Sequence, residues 1–204
     1  MNGPYYIVSD NHFSMNNDIK ESDRRKKLFK VFDKIKIKGE GSLIIGGDFF
    51  DYWFEYKKQI PSGYDSILNA LKDLHNHNIK IYYIAGNHDF WDFGYLNNYT
   101  GLEFYKGDLE LNSSNQKILI THGDGILKSD VGYRFMKKII RSKLFIFLYN
   151  LLPASFTCSL SKKISKSSSD YNHHDKYKNI IFSDTLDYAM KQWKAGYDIV
   201  CIGH

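Results

Sequence analysis

The sequence contains five short apolar runs separated by longer amphipathic segments. The runs are rich in β-branched and aromatic residues, they do not alternate with polar residues, and each is closed by Gly, Ser or Thr. This pattern is typical of strands that are covered on both faces. The runs lie at residues 5–8, 43–45, 79–85, 118–120 and 199–202. We therefore predict a layered sheet that contains these five segments as buried strands.

The segments between the runs carry apolar residues at the spacing of a helix. This spacing predicts helices over residues 21–36 and 180–194, and another helix that follows an N-cap at Ser62. The inward residues of the last helix would be Ala189, Met190 and Trp193. Residues 102–120 instead favour short strands joined by turns. Together these elements predict an α/β fold in which mixed sheets are flanked by helices.

The composition is that of one globular domain with an appended subdomain. The chain has 204 residues, of which 43% are hydrophobic and two are cysteines, so it can bury a core without disulfides. We interpret Cys158 and Cys201 as structural residues in a reducing compartment. The N-terminus lacks the features of a signal peptide, and the longest apolar stretch, residues 144–152, is too short to cross a bilayer. These features predict a cytoplasmic protein.

The positive charge is confined to one segment. Residues 128–178 contain 11 Lys and Arg against 3 Asp and Glu, whereas the rest of the chain contains 17 against 20. A basic segment of this kind can bind nucleic acid, anionic lipid or a phosphorylated substrate, and charge alone does not choose among them. We predict a core over residues 1–127, a basic helical insertion over 128–178, and a return to the core over 179–204.

Each predicted strand is followed by side chains that can bind a metal. They are Asp10, His12, Asp48, Asp51, Asn87, His88, Asp89, His122, Asp124 and His204. Any one of them alone would be read as a helix cap or a turn residue. Because the carboxyl ends of strands in an α/β sheet meet at one edge, the set can converge on a single site. Imidazoles with carboxylates and no thiolates favour a pair of transition-metal ions, for which Asp48 is the natural bridge.

These motifs, in this order, resemble those of the calcineurin-like metallophosphoesterases. The motifs are Asp-x-His at 10–12, Gly-Asp-x-x-Asp at 47–51, Gly-Asn-His-Asp at 86–89, His-Gly-Asp at 122–124 and Gly-His at 203–204. More narrowly, residues 47–54, residues 86–90 and the basic insertion are similar to those of the pyrophosphatases that act on UDP-2,3-diacylglucosamine in lipid A synthesis. The resemblance implies a layered metallophosphoesterase fold with a helical lid.

The resemblance also implies a role for each site residue. Asp10 and His12 would hold the first metal, Asp48 would bridge, and Asn87, His122 and His204 would complete the second. His88 would contact the phosphate as a catalytic residue, stabilising charge or protonating the leaving oxygen. The substrate-binding residues would be Asn87, His88, Asp130, Arg134 and Lys137. We expect two divalent ions, with Mn²⁺ as the metal, a lipid-linked UDP-sugar as substrate, and peripheral association with the anionic cytoplasmic face of the inner membrane. Nucleic acid is not an expected partner.

The sequence departs from the family pattern at two places. The best-known pyrophosphatase branch has Arg where this chain has His88. The last family motif continues as Gly-His-x-His, whereas the sequence stops at His204. Either residues beyond His204 supply the missing ligand, or the first metal keeps only Asp10, His12 and the bridge and binds weakly. Two alternatives therefore stay open: a phosphodiesterase for another nucleotide or nucleic acid, and an inactive scaffold.

The insertion begins with an amphipathic pattern over residues 133–144. Four basic residues lie at helical spacing on one side, namely Arg134, Lys137, Lys138 and Arg141. The opposite side carries Phe135, Met136, Ile139 and Ile140. One interpretation is a helical hairpin that packs on the core with a solvated basic face. The other is a lid whose apolar inner wall takes acyl chains and whose cationic face lies against anionic lipid.

Overall fold

The order of strands and helices follows the predicted α/β pattern. The computed structural model describes residues 3–16, 18–56, 60–151 and 175–204. In chain order these residues form β1 (Tyr5–Val8), α1 (Ile19–Lys38), β2 (Ser42–Ile45), α2 (Asp65–Asn76), β3 (Lys80–Ile84), α3 (Tyr95–Thr100), β4 (Glu103–Tyr105), β5 (Leu109–Ser113), β6 (Gln116–Thr121), α4 (Val131–Ile140), α5 (Lys143–Leu151), α6 (Asp175–Lys194) and β7 (Ile199–Ile202). Cys158 and residues 152–174 of the predicted insertion lie outside the described residues.

The strands form two sheets that pack against each other. The first sheet has the order β1-β2-β3-β4 and is parallel throughout, and the second has the order β5-β6-β7. In the second sheet β5 and β6 are antiparallel, while β6 and β7 are parallel. Side chains alternate across β2, so that Leu43 and Ile45 join the core beneath the helices and Ile44 joins the core between the sheets. This arrangement confirms the predicted mixed sheets flanked by helices.

The helix boundaries depend on local capping. Helix α1 begins where the Asp18 side chain accepts a hydrogen bond from Glu21 N, and it ends at Gly39 in the left-handed conformation. Helix α2 begins after Tyr64 and has no side-chain cap, so the predicted N-cap at Ser62 is wrong. The reason is that Tyr64 is fully buried and donates its hydroxyl to Tyr52 O, which postpones the start of the helix.

Helix α6 has the predicted end but not the predicted inward face. Met190 and Trp193 are 44% and 49% exposed, contrary to expectation. The helix is instead held on its polar side, where Asp184 accepts a hydrogen bond from Lys128 N and Tyr188 bonds to Thr121. The polar contacts turn the apolar residues of this helix outward within the described part of the chain.

The first helix of the insertion is also oriented opposite to expectation. Lys137 and Arg141 face the core, with side chains 24% and 17% exposed, whereas Phe135 and Met136 are 67% and 47% exposed. Both interpretations of the sequence placed the basic stripe outward, and both are wrong for Lys137 and Arg141, whereas Lys138 is exposed as predicted. The physical reason is the buried carboxylate of Asp124, which pairs with the two cations. Among the described helices, none combines the length and apolarity required to cross a bilayer.

Candidate metal centre

The loops that follow five strands bring the predicted metal ligands together. One group has ligand atoms that all lie within 4.8 Å of one another, and it consists of Asp10, Asp48, His122 and His204. A second group with the same spacing consists of His12, Asp51 and His88. Asp10 therefore lies with the residues expected at the second metal, and the assignment of each ligand to one ion stays a prediction. Asp51 was a candidate metal ligand in the sequence, but it was not assigned to either ion.

Asp48 lies at the centre of the two groups. Its side chain is almost fully buried, and its Oδ2 atom lies 3.4 Å from Nε2 of His122, 3.8 Å from Nε2 of His12 and 4.0 Å from Nε2 of His88. Its other oxygen, Oδ1, accepts a hydrogen bond of 2.9 Å from His88 N. One carboxylate oxygen thus faces three imidazole nitrogens, which is an arrangement suited to a ligand shared by two ions.

The imidazoles are oriented by backbone carbonyls. Nδ1 of His122 lies 3.0 Å from Gly46 O, and Nδ1 of His88 lies 2.7 Å from Asp51 O. Because a carbonyl oxygen only accepts, each Nδ1 carries a proton, which leaves Nε2 as the ring nitrogen that can bind a metal. Nε2 of His122 faces two further acceptors, Oδ1 of Asn87 at 3.2 Å and the Asp48 carboxylate. An imidazole nitrogen, an amide oxygen and a carboxylate oxygen therefore converge here. All three atoms can donate an electron pair to a cation, so this set of ligands fits a divalent metal.

The electrostatics of the pair formed by Asp48 and His122 also favour a positive charge. Burial acts to lower the pKa of His122, but the hydrogen bond to Asp48 and its charge outweigh burial and raise the pKa to about 9. Burial acts to raise the pKa of Asp48, but His122 and His88 lower it to about 2. Burial lowers the pKa of His12, which keeps that ring neutral and able to bind a metal.

Asp89 connects the loop after β2 with the loop after β3 through buried hydrogen bonds. Its fully buried carboxylate accepts hydrogen bonds from Phe49 N at 2.8 Å, Gly86 N at 2.7 Å and the Tyr83 hydroxyl at 2.5 Å. Burial and the charge of Asp48 raise the pKa of Asp89 to about 6. In the sequence Asp89 was a candidate metal ligand, but it belongs to neither ligand group. Its structural role, which is to hold the loops after β2 and β3 together, was not predicted.

The ligand loops have unusual backbone conformations. Asp10, His12 and Asp48 have φ angles of 53°, 44° and 49°, in the left-handed region that non-glycine residues rarely adopt. Such conformations persist where the surrounding structure imposes them, and they cluster at functional sites. A Cβ atom on Gly47 would lie 2.5 Å from Nδ1 of His122, so the close approach of this loop requires glycine.

The remaining predicted residues lie after β7 and at the start of the insertion. The His204 backbone N–H donates to both carboxylate oxygens of Asp10 at 3.0 Å. Asp130 immediately precedes α4, and its side chain does not cap that helix. Arg134 donates to backbone carbonyls at the start of the insertion, and Lys137 donates to the carboxylate and carbonyl of Asp124. Substrate binding by the last three predicted residues stays a prediction.

The aromatic residues beside the Gly-Asp-x-x-Asp motif divide between two environments. Trp53 is fully buried in the core and donates from Nε1 to Asp92. The hydroxyl of Tyr52 lies 3.2 Å from that of Tyr149 on α5, and the ring of Phe54 lies 4.6 Å from the Tyr149 ring. Trp53 is therefore a core residue, whereas Tyr52 and Phe54 support the insertion.

Comparison with known families agrees with this geometry. Residues 3–204 match the model of the family described as calcineurin-like phosphoesterase. The chain belongs to the calcineurin-like phosphoesterase family. This membership confirms the resemblance of the motifs. The family implies divalent metal ions, and the convergent carboxylates and imidazoles are candidate ligands for them.

Several relatives of this chain have the same protein name. A UDP-2,3-diacylglucosamine hydrolase of Porphyromonas gingivalis (strain ATCC BAA-308 / W83) is 27% identical over 169 residues, which cover 82% of this chain and 64% of the relative. A protein of the same name from Histophilus somni (strain 129Pt) is 26% identical over 98% of this chain and 82% of its own length. Another from Proteus mirabilis (strain HI4320) is 30% identical over 65% of this chain and 55% of its own length. The chain thus spans less than two thirds of the length of two of these relatives.

Proposed function

We propose that this protein hydrolyses the pyrophosphate of UDP-2,3-diacylglucosamine to UMP and 2,3-diacylglucosamine 1-phosphate, using two divalent ions. The observation that carries the proposal is the convergence of two ligand groups on Oδ2 of Asp48. The substrate is supported by the names of the relatives and by the helical insertion beside the centre. Membership of the family supports the hydrolysis of a phosphate ester or anhydride, and the helical insertion supports a substrate that carries a lipid.

The residues that would hold the two ions are Asp10, His12, Asp48, Asn87, His122 and His204. We propose Mn²⁺ because the set mixes imidazoles with oxygen donors. Such a pair of ions activates water at neutral pH and neutralises charge on a phosphoryl group. The backbone carbonyls that hold Nδ1 of His122 and of His88 keep Nε2 of each ring directed at the centre.

His88 is the proposed catalytic residue. Its Nδ1 proton is engaged by Asp51 O, so only Nε2 can exchange a proton with substrate. Nε2 lies 4.0 Å from Oδ2 of Asp48, and the side chain is 14% exposed, so the ring is open to a ligand at the centre. When charged, this ring can donate from Nε2 to a phosphoryl oxygen or to the leaving oxygen.

The exposed apolar face of the α4–α5 hairpin is the proposed lipid-contacting surface. Its residues are 61–69% exposed, and they are Val131, Phe135, Leu144, Phe147 and Leu151. Exposed apolar residues in this number mark an interaction surface. We propose that this surface contacts the acyl chains of the substrate and the cytoplasmic face of the inner membrane. The core-facing basic stripe does not favour the alternative of a nucleic-acid track, because Lys137 and Arg141 already pair with Asp124.

The test compares two substrates with and without Mn²⁺. We expect the protein to release UMP from UDP-2,3-diacylglucosamine far faster than it cleaves bis(p-nitrophenyl) phosphate, and to lose this activity in EDTA. His88→Gln should reduce UMP release by about 100-fold or more, as expected for loss of an acid–base residue. His77→Gln is the matched control, because this histidine is exposed directly after the end of α2 and belongs to neither ligand group. Equal turnover of the two substrates would overturn the lipid assignment but leave the phosphoesterase assignment standing.

A further inference from the structure

One carboxylate joins the insertion to the loop that carries His122. Oδ2 of Asp124 accepts hydrogen bonds from the Tyr133 hydroxyl at 3.0 Å, from Lys137 Nζ at 2.8 Å and from Arg141 Nη2 at 2.9 Å. The three donors are spaced four residues apart, so they form one stripe along α4. Three donors of the inner face of this helix thus share one side chain, located two residues after a predicted metal ligand.

The end of α4 is also joined to the loop that carries Asn87 and His88. Nη2 of Arg141 donates to Gly86 O at 3.1 Å, and its guanidinium lies 4.1 Å from the centroid of the Phe90 ring. Trp91 donates from Nε1 to Ile140 O at 3.2 Å. Arg141 thus connects Asp124 with a second ligand loop.

These contacts are shielded from water. The side chains of Asp124 and Arg141 are 7% and 17% exposed. Charge-assisted hydrogen bonds in such an environment are stronger and more directional than surface ion pairs. In the part of the chain that the structure describes, the opposite face of α4 is exposed, as Phe135 and Ile139 show. The position of the helix therefore depends on the polar contacts of its inner face rather than on apolar packing.

We propose that Asp124 is a positioning residue that, with Arg141, fixes α4 over the metal centre and so determines the affinity for the acylated substrate. This inference rests on the proposed function. Asp124 was a candidate metal ligand in the sequence, but it belongs to neither ligand group of the structure, and Arg141 is not a ligand type. Both side chains act through the helix that they hold. A substrate that uses the insertion should depend on Asp124, whereas a small phosphodiester that reaches only the metal centre should not.

The first experiment measures kcat and KM of Asp124→Asn and Arg141→Met with UDP-2,3-diacylglucosamine and with bis(p-nitrophenyl) phosphate, each with Mn²⁺. We expect KM for the acylated substrate to rise about tenfold or more, in line with the loss of a shielded charge-assisted bond. Turnover of the small substrate should stay within about twofold of the wild type. Arg141→Lys should recover part of the affinity, since it keeps one charged donor. Lys138→Met is the control, because this residue is exposed on the same helix.

The second experiment measures amide hydrogen exchange and does not require a substrate. Asp124→Asn and Arg141→Met should speed exchange over residues 131–140 and leave the strands unchanged, whereas Lys138→Met should behave as the wild type. Unchanged exchange in α4, or an equal loss of activity toward both substrates, would overturn the proposal. If the wild type leaves UDP-2,3-diacylglucosamine intact, the proposed function fails, and the exchange result alone decides whether Asp124 holds the helix.

Discussion

Gly86 lies so close to Asp48, the proposed bridging residue, that there is no room for a side chain at this position. A Cβ atom on Gly86 would lie 2.0 Å from Oδ1 of Asp48 and 2.5 Å from its backbone N, whereas Cβ contacts closer than 3.0 Å are essentially never found. Gly86 is not among the residues with positive φ, so alanine would introduce no backbone strain. Gly86→Ala is therefore a steric test of how closely the loop after β3 must approach Asp48.

The size of the effect follows from these distances. Oδ1 would have to retreat from 2.0 Å to at least 3.0 Å, a displacement of about 1 Å. Rotation of the Asp48 side chain cannot relieve the clash with its backbone N, so the two loops must also separate. Overpacking of this kind costs about 1–3 kcal/mol of folding free energy. A misplacement of about 1 Å in a catalytic site reduces the rate by roughly 100-fold.

Three measurements test this reasoning: urea unfolding, Mn²⁺ titration by calorimetry, and release of UMP from UDP-2,3-diacylglucosamine. Gly86→Ala should lower the free energy of unfolding, weaken Mn²⁺ binding and reduce the rate by the amounts given above. Gly107→Ala is the matched control, because a Cβ atom there would have nothing within 4 Å. If Gly86→Ala binds Mn²⁺ as tightly as the wild type, the close approach of the loop to Asp48 does not matter for the site and the reasoning is refuted.

Three other predictions concern the core, a buried ion pair and pH. Leu71→Ala, at a fully buried position of α2, should lower the free energy of unfolding by about 2–5 kcal/mol in urea, and a loss below about 1 kcal/mol would contradict the packing described. Arg25→Met should lower the free energy of unfolding by about 1.5–3 kcal/mol because it removes one of the two arginines paired with the buried carboxylate of Glu21, and an unchanged free energy in urea would contradict this. The pKa of His122, raised to about 9 by Asp48, means that the metal-free site holds a proton below that pH. A bound ion must displace this proton, so the affinity for Mn²⁺ should rise about tenfold per pH unit from about pH 6.5 to 9 and fall in acid. The same proton stabilises the metal-free protein, and this contribution to the free energy of unfolding is lost as pH rises through 9. Calorimetry at several pH values checks the trend, and a pH-independent affinity would count against it.

Local pattern was sufficient to predict the strands and the convergence of their ends. Continuous apolar runs with β-branched residues identified the strands, and β2 and β3 are buried as predicted. The prediction that all five are buried is wrong for β1 and β7, which lie at the edges of their sheets with Ile7 46% and Ile199 37% exposed. A polar or metal-binding residue directly after such a run must lie at the edge of the sheet, whatever the rest of the chain does. The grouping of Asp10, Asp48, His122 and His204 is for this reason already implied by the sequence.

The roles of Asp89 and Asp51 were not predictable in the same way. Asp89 binds donors from two different loops, and Asp51 offers its backbone carbonyl to Nδ1 of His88. Both roles depend on where a distant segment passes in space. A sequence motif shows which residues stand next to one another, but it does not show which hydrogen bonds they make with other loops.

The sequence by itself determined that the insertion begins with an amphipathic helix, and only the tertiary structure decided which face of that helix turns inward. Periodicity specifies two faces, and both were identified correctly. The inward face is chosen by its partner, which for α4 is the buried carboxylate of Asp124, and for α6 is the backbone of Lys128 together with Thr121. Because a buried charge costs several kcal/mol unless it is paired, these polar partners can outweigh the tendency of apolar residues to turn inward.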